Sequence, residues 1–190
     1  MPLIDSAFWL TSGAIIGLLI LSAFFSGSET ALTASSRAKL RAQADKGSKG
    51  AERALTLTED GERLIGSVLL GNNLVNILAT SLATALFTQL FGDSGVALAT
   101  LVMTLLVLIF AEVLPKTYAI TNPETAASLV STPIRVVVFV FAPMVSAVRL
   151  LVRGLLALFG LAAAGATVGA VICFWPKIVG LCMQLVAAVG

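Results

Sequence analysis

The chain has 190 residues, of which 58% are hydrophobic and 12% charged, and its mean hydropathy is +1.01. Soluble domains carry about 25% charged residues, so this composition predicts one domain surrounded mostly by lipid. A net charge of +2 with 7% aromatic residues argues against nucleic-acid binding. The sequence has no histidine and no serine beside a recognisable base, which argues against an enzyme.

The first apolar stretch covers residues 8–25, and the span that it predicts ends near residue 28. At a rise of about 1.5 Å per residue, this length crosses a hydrocarbon core of about 30 Å. Trp9 is placed as an interface anchor. The stretch has neither a basic leader nor a small-residue cleavage site, so we expect a retained span rather than a cleaved signal.

Residues 36–63 carry seven of the twelve basic residues, mixed with acidic ones. The pattern predicts one or two short surface helices, broken around residues 47–50. Because basic loops stay on the cytoplasmic side, we expect this loop in the cytoplasm and the amino terminus outside.

Two further spans are predicted at 64–91 and 96–119, joined by a short outer turn without lysine. From 122 to 160 the apolar sequence is interrupted by Pro143 and contains three arginines, a pattern that favours helices lying at the interface over a fourth crossing. The predicted fold is therefore all-α and polytopic, with three transmembrane helices and a juxtamembrane helical belt over residues 1–160.

The hydrophobic tail at 161–190 has no clear role, and a crossing by residues 154–174 stays open. Cys173 and Cys182 are interpreted as buried thiols, since no histidine completes a metal-ligand set.

Three polar clusters interrupt the apolar spans, where a charged side chain costs at least about 2.5 kcal/mol. Ser26, Gly27 and Ser28 stand at the inner end of the first span, and we expect the glycine to loosen the helix there. In the second span, Asn72 and Asn76 are four residues apart, so both amides share one helix face.

The third cluster contains Glu112 and Pro115, and the proline is expected to free the carbonyl of Ala111. Together the clusters offer oxygen ligands and no nitrogen or sulfur, which suits Mg²⁺, Ca²⁺ or Na⁺. The alternative is that the serines and asparagines only join helices by hydrogen bonds, while Glu112 or Glu29 pairs with Lys116.

Three ordered motifs, at 25–32, 71–76 and 111–117, resemble the transmembrane domain of the CorC/CNNM family. The resemblance covers about residues 5–160. It implies Mg²⁺ efflux with Na⁺ as the proposed coupling ion, in a homodimer embedded in the lipid of the inner membrane. By motif, the metal-site positions correspond to Ser26, Asn72, Asn76 and Glu112, with Gly27 and Ser28 as further candidates.

Members of this family usually continue into a nucleotide-binding CBS module, and residues 161–190 do not resemble the link to it. The chain is therefore interpreted as a truncation or a short form. The rival function is a membrane regulator that senses Mg²⁺ for a partner channel without transporting the ion.

Overall fold

A computed structural model describes residues 6–158 of the protein. The predicted tail, the two cysteines and most of the 154–174 segment lie outside the described residues. Within this range the chain is entirely helical, as predicted, and has no strand. The elements in chain order are α1 (Ser6–Ala34), α2 (Arg37–Asp45), α3 (Lys49–Glu59), α4 (Gly61–Phe91), α5 (Ser94–Leu106), a π-helical segment (Val107–Val113), α6 (Leu114–Thr121) and α7 (Pro123–Leu158).

Four helical stretches of the described chain are long and apolar enough to cross a membrane: residues 8–34, 61–91, 94–121 and 123–156. The first three cover the predicted spans and extend each of them. The third is composite, because α5, the π-helical segment and α6 follow one another without a break. The protein is thus a multi-pass membrane protein, and its described residues are all-helical with four candidate spans rather than three.

The carboxy-terminal part differs from the expected pair of interfacial helices, because α7 is one continuous helix of 36 residues. Pro133 and Pro143 lie inside it, and both are exposed. Each proline removes one backbone donor, but breaking the helix in an apolar environment would leave more backbone groups without partners. At 1.5 Å per residue α7 is about 54 Å long, more than one straight crossing requires.

The charged loop forms two short helices, α2 and α3, as the sequence predicted. Asp60 caps α4, since its carboxylate accepts from the Arg63 amide at 3.2 Å. α3 packs closely on the start of α7, where a Cβ on Gly50 would lie 2.6 Å from the Ser128 carbonyl oxygen. We call the contact of α2 and α3 with residues 123–134 the belt interface.

α1 and α4 pack along each other in the apolar core. A Cβ on Gly71 would lie 2.9 Å from Cζ of Phe25, so the glycine lets the ring lie against the α4 backbone. At the turn between α4 and α5, Gly92 has a φ of 63° and Gly95 packs on the backbone of Phe87. The two glycines allow the tight turn that returns the third span beside α4.

Candidate ion-binding site

The clearest polar arrangement lies between α1 and α4. The Ser22 hydroxyl lies 2.9 Å from Oδ1 of Asn72 and 2.7 Å from Oδ1 of Asn76. Ser22 is fully buried and Asn72 nearly so. The two asparagines therefore direct their oxygens to one point, as their spacing predicted, and a serine of the neighbouring helix occupies that point. We call this group the oxygen triad.

The triad has more acceptors than its one hydroxyl can serve. A serine hydroxyl has a single hydrogen, so Ser22 cannot donate fully to both amide oxygens at once. Around Mg²⁺ with bonds of about 2.1 Å, neighbouring oxygens of an octahedron are about 3.0 Å apart. The two Ser22 distances are ordinary O–H···O hydrogen-bond lengths, and they are also close to that spacing.

Ser26, Gly27 and Ser28 lie on α1, which stays α-helical through all three. The expected loosening of the helix at Gly27 is therefore wrong. Gly27 has a packing role instead, because its Cβ would lie 3.3 Å from Cβ of Pro115. The close approach keeps α1 and α6 together, and a break in α1 would expose backbone groups that nothing at this depth would satisfy.

The two serine hydroxyls differ in their partners. The Ser28 hydroxyl donates to the carbonyl of Phe24 at 2.6 Å. The Ser26 hydroxyl is buried and has no hydrogen-bond partner among residues 6–158, and the same holds for Ser67 on α4. A buried hydroxyl without a partner is unfavourable, so Ser26 and Ser67 are available to a ligand or to water.

The third span changes helical type beside the predicted Glu112 motif. The amide of Leu114 donates to the carbonyl of Ile109, five residues back, so the carbonyl of Phe110 loses its α-helical donor. Pro115 has no N–H, so the carbonyl of Ala111 also lacks its α-helical donor, as predicted. π-Helical turns are frequently found at functional sites, and this one contains Glu112.

Glu112 and Asn76 line the same cleft between α4 and the third span, with a volume of about 320 Å³. Ser26 and Ser28 are not among its lining residues. The cleft is open on one side, and Asn76 belongs both to it and to the oxygen triad. Its remaining lining residues are Thr80, Thr100, Met103, Thr104, Val107 and Leu108.

Charged groups near the site are few. Glu29 interacts favourably with Lys116 and unfavourably with Glu112, so both of these charges lie within electrostatic range of Glu29. Over residues 6–158, His, Cys, Asp and Glu side chains form no group of three that could hold a metal. A cation here would depend on neutral oxygens with one or two carboxylates.

Ser22 was absent from the sequence-based candidates, although a signal for it existed. It precedes Ser26 by four residues, so both hydroxyls lie on one face of α1. This is the same spacing that identified Asn72 and Asn76.

Comparison with known proteins shows what the chain is similar to. Residues 13–170 match the family model for the cyclin M transmembrane N-terminal domain, CNNM. The inner membrane protein YfjD of Escherichia coli is 43% identical over 137 residues, which are 70% of this chain and 32% of YfjD. A UPF0053 protein of Haemophilus influenzae is 38% identical over 147 residues, 77% of this chain and 35% of that protein.

A third relative has a name that states an activity. The polyamine export protein of Salmonella typhimurium is 37% identical over 144 residues, which cover 69% of this chain and 32% of that protein. The chain thus spans about a third of the length of these relatives.

Proposed function

Because the chain belongs to the cyclin M (CNNM) transmembrane domain family, we propose that it exports Mg²⁺ across the inner membrane, with Na⁺ as the coupling ion. The observation that carries the proposal is the oxygen triad. The hydroxyl oxygen of Ser22 on α1 lies within 2.9 Å of the amide oxygens of Asn72 and Asn76 on α4. The relative named an inner membrane protein supports the location.

The ion is expected to shed its water at the triad. Mg²⁺ dehydrates reluctantly and requires near-octahedral oxygen ligands, so Ser22, Asn72 and Asn76 would replace part of its shell. Glu112 lines the cleft that also contains Asn76, and its carboxylate would balance ionic charge. Ser26, with its unpartnered hydroxyl, and the neighbours Gly27 and Ser28 complete the proposed metal site.

Mg²⁺-dependent thermal stabilisation of the purified protein tests the site. We expect Asn72→Ala and Glu112→Ala each to abolish it, because each removes a ligand oxygen. Asn122→Ala is the matched control, since Asn122 is an exposed amide between α6 and α7. Equal Mg²⁺-dependent shifts in the two site variants and the wild type would refute the metal site.

Flux from Mg²⁺-loaded proteoliposomes separates a transporter from the rival regulator that senses Mg²⁺. The transporter releases Mg²⁺ faster when Na⁺ is present outside, whereas a sensor binds the ion and releases none. Loss of flux in Asn72→Ala at unchanged protein content would connect transport to the triad.

A linear alkylamine is a second candidate cargo. Relatives of this chain include a polyamine export protein, and the cleft combines the acceptors Asn76 and Glu112 with the apolar residues Met103, Val107 and Leu108. Methylene groups suit the apolar side chains, while ammonium groups suit the acceptors. Release of a radiolabelled diamine from the same proteoliposomes, with no Mg²⁺ release, would favour this candidate over Mg²⁺.

The proposal includes a homodimer. Thr100, Thr104 and Leu108 are exposed on the open side of the cleft, and polar groups at membrane depth normally face protein or water rather than lipid. A second copy of the chain that covers this side would place the two threonine hydroxyls against protein instead of lipid. Detergent-corrected light scattering should give twice the chain mass of 19.6 kDa, and a monomer mass would contradict the dimer.

A further inference from the structure

The cleft between α4 and the third span has chemistry that the oxygen triad does not need. Two of its threonines, on α5, use their hydroxyl hydrogens within their own helix. Thr100 donates to the carbonyl of Val96 at 2.8 Å, and Thr104 donates to the carbonyl of Thr100 at 2.7 Å. A hydroxyl that donates to the backbone presents only its lone pairs outward.

The cleft therefore offers hydrogen-bond acceptors at several points along its length. Thr100 and Thr104 lie toward the turn that follows α4, and Glu112 lies toward the charged helices. At about 1.5 Å per residue, Glu112 is about 12 Å beyond Thr104 and about 18 Å beyond Thr100 along the helix. Asn76 contributes an amide from the opposite wall. An anion would meet lone pairs and a carboxylate, whereas a cation or a group rich in N–H or O–H donors would be stabilised.

The cleft is large enough for an ion that keeps its first water shell. At about 30 Å³ per water molecule, a shell of six waters needs about 180 Å³, and the cleft has about 320 Å³. A bare Mg²⁺ would be far from most of the lining, while an ion with its first shell could hydrogen-bond to both walls through its waters.

Resting on the proposed function, we propose that the cleft is a vestibule for the hydrated cation, between the oxygen triad and the outer end of the bundle. The waters of the shell donate to the hydroxyl oxygens of Thr100 and Thr104. Asn76 belongs to both the vestibule and the triad, so it is the point at which water is exchanged for protein oxygen. The water molecules that the ion loses at the triad then remain in the adjoining cleft.

Cobalt(III) hexaammine is the probe for the vestibule, because its six ammonia ligands donate hydrogen bonds and do not exchange. We expect it to bind the wild-type protein in calorimetry and to inhibit Mg²⁺ flux. In the double variant Thr100→Val/Thr104→Val the affinity should fall by about fivefold for each lost hydroxyl. Mg²⁺-dependent thermal stabilisation, which reports the triad, should stay at the wild-type value.

Two further variants distinguish the hydroxyl effect from a structural one. Thr88→Val removes a hydroxyl that donates in the same way to Thr84, outside the cleft lining, and should leave hexaammine binding unchanged. Thr104→Ser keeps the hydroxyl and should keep the binding as well. Equal hexaammine affinities for the wild type and the double valine variant, or no binding to the wild type, would overturn the vestibule.

The readouts also separate this inference from the proposed function. If the wild type moves no Mg²⁺ but binds hexaammine in a threonine-dependent way, the transport proposal fails and the vestibule stands. If Mg²⁺ flux is normal in the double valine variant, the vestibule fails and the transport proposal stands.

Discussion

The α1–α4 contact and the belt interface both bring helices together through small buried residues, but they differ in how polar groups are used. In the belt interface, charged side chains have partners: Lys39 with Glu124 at 3.2 Å, and Arg53 with the Thr132 hydroxyl at 2.9 Å. Between α1 and α4, oxygen acceptors outnumber the hydrogens available at Ser22. The belt interface thus pairs its charged groups across helices, whereas the membrane contact joins its helices through neutral side-chain oxygens around one serine.

The largest expected effect is in the belt interface. In Gly50→Ala the new methyl group would meet the backbone of Ser128, so α3 and α7 must separate, at about 3 kcal/mol of unfolding free energy. Denaturant unfolding in detergent measures the loss. Gly61→Ala, also at the start of a helix but with no neighbour within 4 Å, is the control and should be neutral or slightly stabilising.

A smaller effect is expected for Gly71→Ala, in the contact of α1 with α4. The methyl group would meet the edge of the Phe25 ring rather than backbone, and a ring can move, so we expect about 1–2 kcal/mol. The displacement of the Phe25 ring would also move α1 away from Asn72 and weaken Mg²⁺ binding. Calorimetric Mg²⁺ affinity equal to that of the wild type would show that the triad does not depend on this packing.

Ser22→Ala and Ser131→Ala compare the two regions directly, since both serines are fully buried. Ser22→Ala removes a hydrogen bond between helices and should cost about 1 kcal/mol, together with a marked loss of Mg²⁺ affinity. Ser131 donates within α7 to the carbonyl of Ser128, so its alanine variant should bind Mg²⁺ normally. If both variants lose Mg²⁺ binding equally, the distinction between the regions is wrong.

The smallest effect is expected for Lys39→Ala, in the belt interface. The lysine is 71% exposed and its partner Glu124 is 14% exposed, and exposed ion pairs contribute little. Lys39→Ala should therefore lower the unfolding midpoint only slightly. This difference from the wild type should become smaller still in high salt, because salt screens the pair. A large, salt-independent loss would mean that Lys39 has another structural role.

Sequence patterns predicted the features that depend on local spacing. Asn72 and Asn76 converge because residues four apart share a helix face, and the break between α2 and α3 follows from the residues around Gly47, which has a φ of 92°. The assignment of the six predicted positions to a metal site stays a prediction.

Features that depend on distant packing were not predictable in the same way. Ser22 contacts asparagines 50 and 54 residues away, and its spacing from Ser26 marks a helix face without showing which distant residues that face meets. Gly27 and Pro143 were expected to disturb helices, but both lie in continuous ones. Tight packing on Pro115 explains the first case, and the high cost of unpaired backbone groups in lipid explains the second.

The π-helical segment constrains the length of the third span as well as its composition. A π-helical turn accommodates one surplus residue relative to an α-helix. Deleting a single residue between Val107 and Val113 would remove that surplus and close the span into a continuous α-helix, while the residues after it keep nearly the same facing. Pro115 would still face Gly27, but the carbonyl of Phe110 would regain its α-helical donor, so relatives that use a free carbonyl beside Glu112 should keep the residue count between Thr104 and Pro115.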